Sequence, residues 1–219
     1  MRAPDLNLHS GSGVERLLRG NWAVRPASGL YFQRSWVRIT DDIPEMRDEV
    51  RGWDLAATEP RARTDPDWTC GTRIGRGADG RFYILDHQAF RSHPGGVEQR
   101  VYNTALEDGQ AVRIAIPQDP GQAGKAQRAA MARKLAGYRL RFKTATGDKV
   151  TRFSPFSAQC ESGNVSVLRA GWNERLFREL ENFPPGKYGH DDDADAVSEA
   201  FDALVRRRPV AFAASYAFR

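Results

Sequence analysis

From Val112 to Ile116 the chain is almost wholly apolar, and Pro117 stops the run. A strand of this kind is buried on both faces, as in parallel sheets covered by helices on either side. Helical segments do flank it. Gly96 to Asp108 repeats apolar residues at Val97, Val101 and Ala105, and Lys125 to Leu135 reads as a basic helix closed near Gly137. Upstream, Val50 to Leu55 predicts a short strand. Thr69 to Ile74 and Arg81 to His87 form a hairpin about the Gly75–Gly80 turn. Tyr31 to Thr40 alternates as a strand does and is broken by Asp41-Asp42-Ile43-Pro44. Arg139 to Thr144 is a further short strand. Asn173 to Asn182 and Asp192 to Val205 read as helices, the second with Ala196, Ala200 and Leu204 on one face. This succession confines the chain to an α/β layer architecture with a mixed sheet.

With 219 residues, 40% of them hydrophobic, the chain can bury a core without disulfides or a structural metal. No run approaches 18 apolar residues, so no membrane helix is expected, and residues 1–20 lack the apolar core of a secretory signal. Cys70 and Cys160 stand far apart with no Cys or His at ligand spacing, which suits reduced thiols in a cytosolic setting. The net charge of +5 hides an uneven distribution. Between Gly121 and Arg152 nine Lys/Arg face a single acid, Asp148, so the rest of the chain is net negative. A localised basic block suits a polyanionic partner; a solvated helix face is the plain alternative.

The acids are placed as a site would place them. Asp54 ends a strand, Asp119 follows the strand closed by Pro117, and Asp191, Asp192, Asp193 and Asp195 crowd the start of the last helix. Sites in open α/β sheets form beyond the carboxyl ends of strands, so these acids can converge. Carboxylates that converge repel unless divalent cations share them, and oxygen-only donors select hard ions such as Mg²⁺ or Mn²⁺. Singly, each has a simpler reading: a turn residue at Asp54 or Asp119, a helix cap at 191–195. One cap accounts for one or two of the four acids. Asp119-Pro-Gly-Gln-Ala-Gly-Lys125 imitates a phosphate loop, but Asp119 stands where its first Gly belongs and Ala126 where Ser or Thr belongs, so no nucleotide-triphosphate site is expected. His87 and His93 are expected in surface or hairpin roles, and His190 as a cap or a support to the acids.

Taken together, Arg51-Gly-Trp-Asp-Leu-Ala-Ala-Thr58, Ile116-Pro-Gln-Asp-Pro-Gly-Gln-Ala-Gly-Lys125, Thr146-Gly-Asp-Lys-Val-Thr-Arg152, Pro155-Phe-Ser-Ala-Gln159 and His190-Asp-Asp-x-x-Asp-Ala196 resemble, in order, the nuclease domain of tailed-bacteriophage large terminase subunits. The resemblance implies an RNase H-like fold, a mixed β-sheet flanked by helices, with two Mg²⁺ or Mn²⁺ ions held by Asp54, Asp119, Asp192 and Asp195, Asp191 in reserve. Asp193 departs from the neutral residue usual there. It further implies cleavage of double-stranded DNA concatemers during packaging, DNA contacts from Lys125, Lys149 and Arg152, a portal protein and a small terminase subunit as partners, no membrane, and residence in the bacterial host cytoplasm outside the virion. Residues 1–49 are expected as a linker from an upstream ATPase domain, 50–205 as the nuclease and 206–219 as a tail. A stand-alone resolvase acting on branched DNA and a non-catalytic portal-docking module are the alternatives.

Overall fold

Among the described residues seven strands join one mixed sheet, and five α-helices pack on its two faces. In this computed structural model residues 29–56, 65–118, 121–144, 146–186 and 189–206 are described. The strands are β1 (Arg38–Thr40), β2 (Met46–Asp54), β3 (Thr69–Gly77), β4 (Phe82–Phe90), β5 (Arg113–Pro117), β6 (Leu140–Lys143) and β7 (Val165–Leu168). The helices are α1 (Pro94–Asp108), α2 (Gln122–Lys134), α3 (Lys149–Glu161), α4 (Asn173–Glu181) and α5 (Asp192–Val205). The strand order is β1-β7-β4-β3-β2-β5-β6. β2, β3 and β4 form an antiparallel meander, while β5 and β6 extend it in parallel on one side and β7 and β1 on the other.

The hairpin turn forms as its residues dictate. Gly80 takes φ 84°, and Asp79 accepts from the Arg81 N–H at 3.0 Å and the Tyr83 hydroxyl at 2.7 Å. Along β2, alternation sends Arg51 and Trp53 to one face and Gly52 and Asp54 to the other. Trp53 packs with Ile114, Ile116, Val97 and Met131 beneath α1 and α2. Buried Arg51 donates to Asp108, at the end of α1, at 2.8 Å and to Asp86 at 2.6 Å, which fastens α1 to the sheet. The opposite face is covered by α3, α4 and α5 around Phe153, Phe156, Phe177 and Phe201. There α5 comes into backbone contact: a Cβ on Gly52 would stand 2.2 Å from the Ala200 nitrogen. Only Gly opposite a run of Ala permits this approach, and it fixes the start of α5 over the end of β2.

Some elements differ from expectation. Residues 31–40 form a short 3-10 turn at Arg34–Trp36 before β1, because Phe32 leaves the alternation to enter the core. β2 begins at Met46, so a boundary at residue 50 falls inside a strand, and from Gly29 onward the expected linker packs as fold: Arg34 donates to Glu181 and Glu174 on α4. Residues 1–28 and 207–219 lie outside the described residues. The helix α3, with Pro155 inside it, and the four-residue β7 were not foreseen.

Candidate metal centre

Three elements deliver charged groups to one point beside the carboxyl end of β2. The strand supplies Asp54. The first turn of α5 supplies Asp191, Asp192 and Asp195, and the first turn of α3 supplies Lys149 and Arg152. Lys149 Nζ donates to Asp191 at 2.6 Å and stands 3.0 Å from Asp195, while Arg152 donates to Asp195 at 2.5 Å. Against burial, these carboxylates push the Lys149 ammonium up to about 12. Asp148 holds α3 in place by accepting from the Thr151 N–H at 2.8 Å.

The acids respond to one another. Burial, then the charges of Asp195 and Asp192, push the Asp54 carboxyl up to about 8, with Lys149 opposing. Burial pushes Asp192 up to about 6, although it accepts from the Trp68 N–H at 3.0 Å. None of this is capping. Asp191 occupies the cap position of α5 yet makes no cap hydrogen bond with its side chain. Like charges kept together at a helix start without a capping role form a donor set of oxygens alone, whose repulsion a divalent cation relieves. By donor type Asp54, Asp191, Asp192 and Asp195 suit Mg²⁺ or Mn²⁺, although among the described residues the ligand atoms that lie closest together around Asp192 are those of Asp67 and His190. Asp54 and Asp195 line a cavity of about 560 Å³ with Pro117 and Glu199. Burial raises the Glu199 carboxyl, whose Oε1 is buried without a hydrogen-bond partner among the described residues.

A loop joins the centre from the far side of Asp192. Trp68 is stacked between Arg91 and Arg175, whose guanidinium carbons lie 4.0 and 4.2 Å from its ring centre. His190 donates to Asp65 at 2.8 Å and stands 3.5 Å from Asp192, the supporting role rather than the cap of the two left open by the sequence.

Asp119 lies outside the described residues; β5, which leads to it, ends at Pro117. Lys125 is exposed on α2, and no described contact joins its side chain to the acids. Asp193 points away from its neighbours. It is 1% exposed, meets His87 at 2.9 Å, Arg175 at 3.3 Å and the Cys70 thiol at 3.5 Å, and is held low by His87 and Arg175 against the effect of burial. His87, expected at the surface or in a hairpin role, is buried, and Thr72 meets its second nitrogen at 3.0 Å. His93 caps α1 instead. Cys70 and His87, without ligand spacing in sequence, become neighbours because β3 and β4 pair Thr72 with His87.

The fold recurs in solved structures. The large terminase nuclease from thermophilic phage G20c with bound magnesium is 15% identical with a TM-score of 0.58, over 81% of this chain and 98% of that one. The manganese-soaked terminase nuclease domain of human cytomegalovirus is 15% identical with a TM-score of 0.54, over 72% of this chain and 82% of that one. A large terminase from another thermophilic bacteriophage is 10% identical with a TM-score of 0.59, over 83% of this chain and 45% of that one. At such identities the likeness is one of fold. No curated protein matches the chain. The sequence itself matches the terminase RNaseH-like domain over residues 51–204, from the strand that carries Asp54 to the helix that carries Asp192 and Asp195, and the chain belongs to that family.

Proposed function

We propose that this chain is a metal-dependent endonuclease that cleaves double-stranded DNA concatemers during genome packaging. The observation that carries the reading is that Asp54 and Asp195 line one cavity while Asp191 and Asp192 stand near enough to raise the Asp54 carboxyl, with Lys149 and Arg152 paired to Asp191 and Asp195 and His190 beside Asp192. Asp54, Asp192 and Asp195 would hold two divalent ions, with Asp191 in reserve and Asp119 as a further ligand from the segment after β5. Bound there, such ions supply an activated water for in-line attack on a phosphodiester and neutralise the charge on the departing 3′-oxygen. The chain's own groups set the stage. Trp68 N–H and His190 orient Asp192, the Asp193–His87 pair seats the helix, and Lys149 and Arg152 are placed to meet phosphate oxygens once cations take over the acids. Lys125 is proposed as an outer phosphate contact. Double-stranded DNA, a portal protein and a small terminase subunit are the partners in this reading, and the host cytoplasm its setting. The nuclease unit would begin before residue 50, since β1 and the first residues of β2 belong to the sheet.

The test is Mn²⁺-dependent plasmid cleavage by purified Asp54→Asn and Asp195→Asn variants. Each is expected to lose at least ~100-fold in rate, about 2.7 kcal/mol of transition-state stabilisation at 1.36 kcal/mol per decade. Undiminished cleavage by a folded Asp54→Asn variant would overturn the assignment.

A further inference from the structure

β6, at the edge of the sheet, is two-faced. Leu140 and Phe142 pack with Ile114 and Ile116 in the core, so alternation sets Arg139, just before the strand, Arg141 and Lys143 on the opposite face. That face looks toward α5: Lys143 Nζ donates to Asp202 at 2.8 Å, and Arg141 lies within the field of Glu199. Because α5 is drawn onto Gly52 at the centre of the sheet, it meets this edge through the Lys143–Asp202 pair without covering it, and every residue of β6 is only half-buried. A groove therefore runs between α5 and β6. One end is the cavity that holds Asp54 and Asp195. The other is a second cavity of about 1060 Å³, lined by Arg113, Arg139 and Arg141, and Arg206 borders both.

Most of the cations here are already engaged. Arg113 binds Asp48 at 2.5 Å and the Ala203 carbonyl at 2.7 Å, Lys143 binds Asp202, and Arg206 is paired with Asp202 as well. Arg139 and Arg141 make no ion pair among the described residues; the Arg139 guanidinium reaches only the Ala111 carbonyl, at 3.4 Å. Two guanidinium groups without a carboxylate partner, on one wall of an open groove, call for an external anion, and their planar donor forks match phosphate oxygens.

We propose that this groove holds the phosphate backbone of one strand of double-stranded DNA and leads it to the acid centre, a reading that rests on the nuclease function proposed above. Same-face side chains recur every ~6.6 Å along a strand, so Arg139 to Lys143 spans ~13 Å. At about 3.4 Å per nucleotide of one strand, that is the length of roughly four nucleotides. Contacts of this type position the duplex without reading its sequence.

The experiment separates binding from chemistry. The Asp54→Asn chain, kept in EDTA so that nothing is cut, is titrated with a fluorescent duplex across a series of salt concentrations. Adding Arg139→Gln and Arg141→Gln is expected to flatten the plot of log K against log salt by about 2, near 0.9 for each lost phosphate contact. Arg139→Lys with Arg141→Lys keeps the charges and is expected to keep the slope. Arg133→Gln, exposed on α2, is expected to leave it unchanged. An unaltered slope in the double Gln variant overturns the proposal and leaves the two arginines as guards of the sheet edge against strand pairing. So does a loss of about 0.9 with Arg133→Gln, equal per residue to that of the groove arginines, which would mean a diffuse field. Failure of the unaltered chain to cleave with Mn²⁺ bears on the nuclease reading alone, because the slope is measured without catalysis.

Discussion

Asp54 keeps its proton at a pH where most carboxyls have lost theirs, and that has a thermodynamic sign. Its ordinary value is 3.8, and burial with its acidic neighbours raises it to about 8. Between those values the folded chain holds a proton that the unfolded chain releases, so stability falls as pH rises through the window. Asp192, raised to about 6, adds to the fall over the lower part of it. In EDTA the melting temperature is therefore expected to drop from pH 5 to pH 9. Asp54→Asn should flatten most of that drop and melt several degrees above the unaltered chain at pH 9, since each 1 kcal/mol moves a chain of this size by about 2–4 °C. Calorimetry on both proteins across the range checks this; parallel curves would show that Asp54 is not strained by its neighbours. At this scale the sequence was informative where position alone decides. Asp54 ends a strand, and four acids in five residues are too many for one cap. Asp193 could not be told from the acids beside it, because successive residues on a helix point about 100° apart and only the docking of α5 decides which one meets the sheet.

The docking of α5 on β2 is the element on which the centre depends. The apolar stripe Ala196, Ala200, Leu204 was legible by its period; that it meets Gly52 backbone to backbone was not, since a glycine in a strand says nothing of what approaches it. Gly52→Ala is expected to push α5 off the sheet, with a loss of ~1–3 kcal/mol or more in urea unfolding and a larger proportional loss of Mn²⁺-dependent cleavage. Unchanged stability would show that the contact yields easily. His87 escaped detection for a related reason. Opposite Ile74 and Arg73, β4 advances from Ile84 to Asp86, a bulge at Leu85 that reverses its alternation and brings His87 to the side of Asp193. No period of two can carry that information. The helix α3 was hidden by Pro155 in its interior and β7 by its four residues.

Across the whole molecule the sheet grades from a protected middle to thin margins. β2 and β3 are nine residues each and paired on both sides, whereas β1 and β6, of three and four residues, are the edges. Amide exchange is expected to be slowest in β2 and β3 and fastest in β1 and β6, so that the basic wall of the groove opens without the centre of the sheet. Equal protection across all seven strands would contradict this. The fold class was readable from the order of strands and helices, but the edge position of β6 was not, because strand order in a sheet is a matter of topology rather than of local pattern.

The Trp68 amide and the Asp192 carboxylate that it holds stand 124 residues apart, and the acid turn arrives only with α5, after all seven strands. On the proposed function, cutting would thus be latent during synthesis: a chain still emerging from the ribosome has Asp54 but no helix to complete it, and a chain that loses the grip of α5 would be disarmed before it is unfolded.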